Sequence, residues 1–369
     1  MQRYEAVMDT ALALAERGWG RVSPNPMVGA VVLSPAGTVL GEGWHDGPGT
    51  DHAEVMALRA AGSGATGATL VCTLEPCDRF GRTPPCTRAL IDAGVARVVV
   101  AATDPDLGEG APGLHQLREA GIEVLTGIRE EASRRLNAAF ERHVRTGRPF
   151  VVWKTAASLD GKTAAADGTS RWITSPAARA DAHRLRAWAD AVVVGSRTVL
   201  ADDPALTVRD AAGLEGARPP LRVLVDSAGR VPIGGALADD DAPTLVATTE
   251  RMPDARIDGW VAVGADIAVL PADPSGVSLP SLLDDLGKRD VQGLLLEGGA
   301  TLAWSFVRED LVDRVVAYIA PTLVGGAAAP GMLAGGGFTP IAGARRLSFT
   351  DVTSVGADLR VEADVHRDR

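Results

Sequence analysis

The sequence is poor in cysteine, with three in 369 residues, at positions 72, 77 and 86. Three thiols cannot build a disulfide framework, and a cluster in one short segment of a chain this long signals metal binding or catalysis instead. No stretch reaches the roughly 18 apolar residues that a membrane span requires. Positive charge is not in excess either: 37 Lys+Arg against 47 Asp+Glu leave a net charge of −10. That balance argues against a general nucleic-acid surface, although a local basic pocket could still hold one phosphate. A secretory leader is not apparent in the opening MQRYEAVMDTALALAERG. Asp9 and Glu16 bracket an apolar stretch too short for a signal-peptide core, and Gly18 closes what reads as an amphipathic surface helix. A soluble, cytoplasmic protein with no membrane or nucleic-acid partner is expected. The 42 glycines and 23 prolines are scattered and form no low-complexity tract.

What the chain does have is ample core, with 46% apolar and 23% charged residues. Its length suggests two domains. They divide at Thr146-Gly147-Arg148-Pro149, where Gly and Pro punctuate a polar helical run and the start of a strand, giving residues 1–146 and 147–369. The first half reads as helix near 3–17, strands 27–33 and 38–44, helix 52–61, strand 69–74, helix 86–93 and strand 97–102. A further helix and a strand from Ile122 follow. This alternation implies an α/β sheet protein. The second half opens on the strand PFVVWKTA, and Ser175-Pro176 is an N-cap followed by proline at the first helical position. The runs AVVVG, LRVLVD, TLVATT, GLLLEGG and VVAYIAP fit strands buried on both faces of a mainly parallel sheet.

The sharpest motif is His52-Ala53-Glu54 with Pro76-Cys77 and Cys86. One imidazole and two thiolates suit a tetrahedral Zn²⁺ that keeps its fourth position for water. Such a metal brings the pKa of water from 15.7 to roughly 7. Glu54, two residues from the histidine, is placed to shuttle protons. The pattern matches the H-x-E and P-C-x-x-C signature of zinc deaminases, except that eight residues, DRFGRTPP, separate the cysteines. Cys86 opens a helix after Pro84-Pro85, so the positive helix end is expected to favour its thiolate. Cys72, inside the apolar ATLVCTL, reads as a packing residue, whereas His45 in GWHDG suits a pocket wall or an ordinary loop equally.

The segments RVSPNPMVGAVV, GEGWH, HAE and EPCDRFGRTPPC resemble the deaminase domain of the bifunctional riboflavin-biosynthesis deaminase–reductases. The segments KTAASLDGKTA, SRWITS, HRLRAWADAVVVGSRTVLADDPALTVR and LLLEGGATL resemble the reductase domain of the same family. The resemblance implies a cytidine-deaminase-like domain followed by a dihydrofolate-reductase-like one. It implies zinc-dependent hydrolytic deamination of 2,5-diamino-6-ribosylamino-4(3H)-pyrimidinone 5′-phosphate. NADPH-dependent reduction of the product's ribosyl group to ribityl would follow. A homo-oligomer is expected. His52, Cys77 and Cys86 would bind the metal, Glu54 would be catalytic, and Asn25 would contact the pyrimidine beside a wall shaped by Pro26 and Gly29. Arg79 stands where the family carries a histidine, so a substrate contact differs there.

For the reductase half, the resemblance assigns Ala156, Trp172, Thr198, Asp202, Ser227, Gly298, Gly299, Ala300 and Thr301 to the cofactor. It assigns Ser170, Arg186, Leu206, Arg209 and Glu297 to the substrate. No GxGxxG follows a strand, so the Rossmann fingerprint is absent, but Gly298-Gly299 between a strand and a helix-like run suits a pyrophosphate. Arg186 and Arg209 are expected to clamp the 5′-phosphate with their planar forks. Lys154 and Asp160 stand as either catalytic or structural. Three rival readings are weighed: a nucleic-acid deaminase, a binding protein without turnover, and a monofunctional enzyme whose second half only assembles copies. The acidic balance speaks against the first and the intact zinc set against the second.

Overall fold

The structure is a computed structural model that describes residues 2–80, 84–107, 111–209 and 217–366. The chain folds as two compact units, Met1–Gly147 and Arg148–Arg369.

In the first unit, helix α1 (Gln2–Ala15) precedes strands β1 (Gly29–Leu33) and β2 (Val39–Trp44) and helix α2 (Ala53–Ala61). Strand β3 (Thr69–Leu74), helix α3 (Cys86–Ala93), strand β4 (Arg97–Ala102), helix α4 (Pro112–Glu119) and strand β5 (Glu123–Thr126) follow. Helices α5 (Glu130–Leu136) and α6 (Ala138–Thr146) close the unit. The sheet order is β2-β1-β3-β4-β5, antiparallel around β1 and parallel from β3 to β5. Alternation along β1 divides the core. Ala30 and Val32 pack with Ala57, Leu90 and Leu117, while Val31 and Leu33 pack with Tyr4, Met8 and Ala11.

Two glycines of β2 bed helix α2 directly on the sheet. A Cβ at Gly43 would lie 2.2 Å from the Ala53 carbonyl oxygen, and one at Gly41 would lie 2.3 Å from that of Ala57.

The second unit runs β6 (Phe150–Ser158), α7 (Pro176–Trp188), β7 (Ala191–Gly195), α8 (Ser196–Asp202), β8 (Leu221–Val225), β9 (Thr244–Thr248) and α9 (Asp254–Ala262). It continues with β10 (Asp266–Val269), the short pair β11 (Ala272–Asp273) and β12 (Gly276–Val277), α10 (Leu279–Lys288), β13 (Gly293–Leu296) and α11 (Ala300–Arg308). Strands β14 (Arg314–Ala320), β15 (Leu347–Val355) and β16 (Asp358–Val365) end it. The nine-stranded sheet has the order β10-β9-β8-β7-β13-β6-β14-β16-β15. It is parallel from β10 to β14, and antiparallel only where β16 and β15 are added at one edge. Helices α10 and α11 bury leucines and Phe306 on one face, and α7 and α9 bury Leu185 and Trp260 on the other. The layers place the carboxyl ends of β6, β13, β7, β8 and β9 side by side, the edge where open parallel sheets bind ligands. Ser175 caps α7 as expected, its hydroxyl oxygen accepting the Ala178 N–H at 3.3 Å. Among the described residues, no helix is long and apolar enough to cross a membrane.

Candidate active sites of the two units

In the first unit, His52 ends the loop into α2 as its N-cap, Cys77 follows β3, and Cys86 is the first residue of α3. The ligand atoms of these three all lie within 4.8 Å of one another. The His52 Nδ1 is 3.1 Å from the Cys86 sulfur and 3.5 Å from that of Cys77. One imidazole and two thiols so close together suit zinc chemistry. Glu54, in the first turn of α2, is buried beside them, and burial pushes its carboxyl up to about 7.

The helix end meets both cysteines. The first backbone N–H of α3, that of Cys86, donates to the Cys77 sulfur at 3.3 Å. Cys77 is held well below the usual thiol range, chiefly by hydrogen bonding from Cys86, whereas that same pairing and burial push Cys86 up. The first amide of α3 thus faces the Cys77 sulfur, while the helix itself carries Cys86. Cys72 is fully buried in the core under α2, the packing position its apolar strand suggested.

His52, Glu54 and Cys77 line a cleft of about 490 Å³ together with Asn25, Pro26, His45, Glu75, Arg79 and Asp104. The Asn25 side-chain amide meets the His45 Nε2 at 2.9 Å, so the histidine belongs to the wall. Burial lowers the His45 pKa and raises that of Asp104 to about 6. Gly29 is not a wall residue: a Cβ there would lie 2.0 Å from the Ala11 carbonyl, so its role is to let α1 rest on β1. Arg79 donates to the Asp106 carbonyl and lines the mouth, and Phe140 of α6 adds an aromatic wall. Gly81, Arg82 and Thr83 of the long inter-cysteine segment lie outside the described residues.

Sequence reading missed Glu75. Its carboxylate accepts N–H bonds from Gly113 at 3.0 Å and Leu114 at 3.3 Å, at the start of α4, and from Asp104 at 3.4 Å. It fixes the loop that carries Asp104; in the sequence it only opens the segment EPCDRFGRTPPC, where the cysteines drew the reading.

In the second unit, a cleft of about 670 Å³ lies over the carboxyl ends of β6, β13 and β7. It gathers Ala156, Ser170, Trp172, Thr198, Asp202, Arg186, Leu206, Arg209 and Glu297 from segments far apart in sequence. Gly298, Gly299, Ala300, Thr301 and Ser227 are not part of its lining. Gly299 caps α11 and its N–H donates to the Thr198 Oγ1 at 3.0 Å, which sets the helix start beside the cleft wall. The Arg197 guanidinium reaches Thr301 Oγ1 at 3.3 Å. Ser227 lies just past β8, further along the same sheet edge.

The fork of Arg186 is closed on a carboxylate. Its Nε and Nη2 donate to the two oxygens of Glu297 at 2.6 and 3.1 Å, and its Nη1 donates to the Thr207 carbonyl at 3.2 Å. The bidentate edge expected to clamp a phosphate is thus already engaged. Lys154 Nζ lies 3.6 Å from the same carboxylate. Burial alone would push Glu297 up, but Arg186 and Lys154 override it and hold the carboxyl at about 2. Lys154 therefore faces the cleft. Asp160, by contrast, ties a turn: it accepts the Ser158 hydroxyl at 2.6 Å and the N–H groups of Val324 and Gly325 at 3.1 and 2.7 Å.

Arg209 is exposed in the cleft and has no carboxylate partner among the described residues. Arg179 and His183 also line it, together with Tyr318. A signal for two of these was present, since 179, 183 and 186 fall at helical spacing on α7.

A family model of the cytidine and deoxycytidylate deaminase zinc-binding region matches residues 1–102, and one of the RibD C-terminal domain matches residues 149–361. Fold and sites together define a bifunctional enzyme, a zinc deaminase followed by a dihydrofolate-reductase-like reductase. The riboflavin biosynthesis protein RibD of Bacillus amyloliquefaciens is 40% identical over 99% of this chain and 100% of that protein. That of Escherichia coli K12 is 41% identical over 96% of this chain and 97% of its own length. The solved structure of Acinetobacter baumannii RibD, form 1, has a TM-score of 0.88 at 38% identity, covering 99% of each chain. A Thermotoga maritima diaminohydroxyphosphoribosylaminopyrimidine deaminase/5-amino-6-(5-phosphoribosylamino)uracil reductase has a TM-score of 0.85 at 34% identity, covering 99% of each chain. The chain belongs to the RibD family of bifunctional deaminase–reductases of riboflavin biosynthesis. Its cofactors are zinc and NADPH.

Proposed function

We propose that residues 1–146 deaminate 2,5-diamino-6-ribosylamino-4(3H)-pyrimidinone 5′-phosphate and that residues 147–369 reduce the ribosyl group of the product to ribityl. The observation that carries this reading is the meeting of His52, Cys77 and Cys86 beside a buried carboxyl, Glu54, in a cleft deep enough for one heterocycle. His52, Cys77 and Cys86 would hold the zinc, which when bound supplies a Lewis acid that eases ionisation of water at neutral pH. Glu54, whose pKa sits near neutrality, takes a proton from the attacking water on a carboxylate oxygen and returns one to the departing amino nitrogen. Asn25, held by His45, offers its amide to the pyrimidine edge.

In the second cleft, NADPH when bound supplies the hydride, and the chain binds and orients two ligands. Arg209 meets the 5′-phosphate with Ser170. Arg186 acts through Glu297, fixing that carboxylate toward the ribosyl hydroxyls, and Lys154 lies beside it. Thr198, Asp202, Trp172 and Ala156 border the nicotinamide end, and the amides at Gly298–Thr301 suit the pyrophosphate. A cytoplasmic location suits the chemistry. A homo-oligomer is supported by the edge hairpin β15–β16, which exposes Phe349, Val352 and Leu359.

Two measurements on the full-length protein test the reading. Glu54→Gln should retain stoichiometric zinc by metal analysis yet lose deamination roughly 10²–10⁴-fold. The wild type should oxidise NADPH when given the deaminated pyrimidine. Near-normal deamination by the variant, or no oxidation by the wild type, refutes the corresponding half.

A further inference from the structure

His183 lies half-buried on α7 in the wall of the reductase cleft, outside the residues assigned to substrate and cofactor. It precedes Arg186 by one turn, so the two side chains leave the same face of the helix. Both reach a single segment, residues 204–209. That segment belongs to no helix or strand, yet it supplies Pro204, Ala205, Leu206 and Arg209 to the cleft.

A segment without a ladder of its own is placed by the groups it is tied to. Leu206 is buried with a left-handed backbone, φ +54°, a conformation that a leucine keeps only where its surroundings fix it. The Thr207 carbonyl accepts from Arg186 Nη1 at 3.2 Å, and the Arg209 backbone N–H donates to the His183 Nδ1 at 3.2 Å. Arg186 is itself fixed by Glu297. It holds the approach to Arg209, and His183 holds Arg209 itself.

That last bond defines the state of the ring. A backbone N–H can only donate, so Nδ1 presents a lone pair and the ring proton sits on Nε2. The surroundings favour this neutral form. Burial lowers the His183 pKa and the Arg186 and Arg209 guanidiniums lower it further, against the opposing pull of Glu297 and the Thr207 carbonyl. With its amide satisfied on α7, Arg209 keeps its side chain for the cleft, exposed and without a carboxylate partner among the described residues.

We infer that His183 is the positioning residue for Arg209, holding the backbone of that arginine so that its guanidinium meets the substrate's 5′-phosphate. The inference rests on the assignment of Arg209 to that phosphate. His183 acts through Arg209 and on no reacting atom. A planar fork that must match phosphate oxygens is sensitive to where its side chain starts, and His183 sets that origin.

The test is steady-state reduction by the full-length protein, with the deaminated pyrimidine 5′-phosphate and with the corresponding riboside, which lacks the phosphate. His183→Leu removes the acceptor. It should raise KM for the phosphate about three- to tenfold, the worth of one neutral hydrogen bond, and keep kcat and NADPH affinity within about twofold. KM for the riboside should not change. His183→Asn carries an acceptor oxygen on Cγ, where the imidazole carries Nδ1, and should recover most of the loss. His183→Gln sets its amide further out, nearer the place of Nε2, and should not. His183→Leu added to Arg209→Ala should be no worse than Arg209→Ala alone. A wild-type KM in His183→Leu, a loss in kcat instead, or equal effects on phosphate and riboside would overturn the inference. So would failure of Asn to rescue, rescue by Gln, or additive losses in the double variant. An Arg209→Ala variant with wild-type KM for the phosphate overturns the assignment beneath it, and the two failures are thereby told apart.

Discussion

Arg186→Met should be among the most destabilising single changes in the second unit. The substitution keeps most of the side-chain length but leaves Glu297 buried with only the Lys154 ammonium, 3.6 Å away, as a charged partner. Glu297 is 8% exposed and its carboxyl is held at about 2 against an ordinary 4.5. At 1.36 kcal/mol per pH unit, that depression is linked to about 3 kcal/mol of stability at neutral pH. Mutational experience with broken buried ion pairs gives a similar figure, about 3–5 kcal/mol. The sign follows from the depressed value. The stabilisation is present above the unfolded-state pKa and is lost as pH falls from 4.5 through the folded-state value near 2. Urea unfolding followed by tryptophan fluorescence is a suitable assay, because five of the seven tryptophans lie in Arg148–Arg369. The expected result is a deficit of about 3–5 kcal/mol at pH 7 that shrinks as the pH is lowered below 4.5, with much of it restored in Arg186→Met/Glu297→Leu. A deficit under about 1 kcal/mol, one that does not vary with pH, or a double variant no better than the single would refute the reasoning.

Arg209→Ala should raise the KM for the phosphorylated substrate of the reductase about ten- to a hundredfold. It should leave NADPH affinity and the deaminase rate unchanged in direct assays. Cys86→Ser should abolish stoichiometric zinc on metal analysis, whereas Cys72→Ala should retain it and cost only about 1 kcal/mol in thermal or urea unfolding.

The parts legible in the sequence were those set by local chemistry. His52, Cys77 and Cys86 stand out because few residue types ligate zinc and the spacing is tight. The strand 69–74 and the helix 86–93 agree with the structure because apolar runs and the Pro-Pro-Cys entry mark their ends. The edge hairpin of β15 and β16 was not legible, because most residues of β15 are exposed and no continuous apolar run betrays it. Arg186 was identified as a ligand-facing arginine, but its partner is 111 residues away, and only the fold shows that its fork is occupied. Cys86 was read from its own helix. The helix instead presents its first amide to Cys77, a relation between segments that spacing alone does not reveal. Gly29 was given to the pocket by resemblance, and the steric reason for it lies on the opposite side, against α1.

The two glycines of β2 make the strand a reference surface for the metal ligands. Helix α2 lies on that strand backbone to backbone, without a side-chain spacer, so the height of its first turn is set by hard contact rather than by adjustable packing. His52 caps that turn and Glu54 sits within it, whereas Cys77 lies in the loop after β3 and Cys86 opens α3. A single methyl at position 43 would act as a shim beneath one half of the ligand set only, lifting imidazole and carboxylate away from two sulfurs that stay where they are.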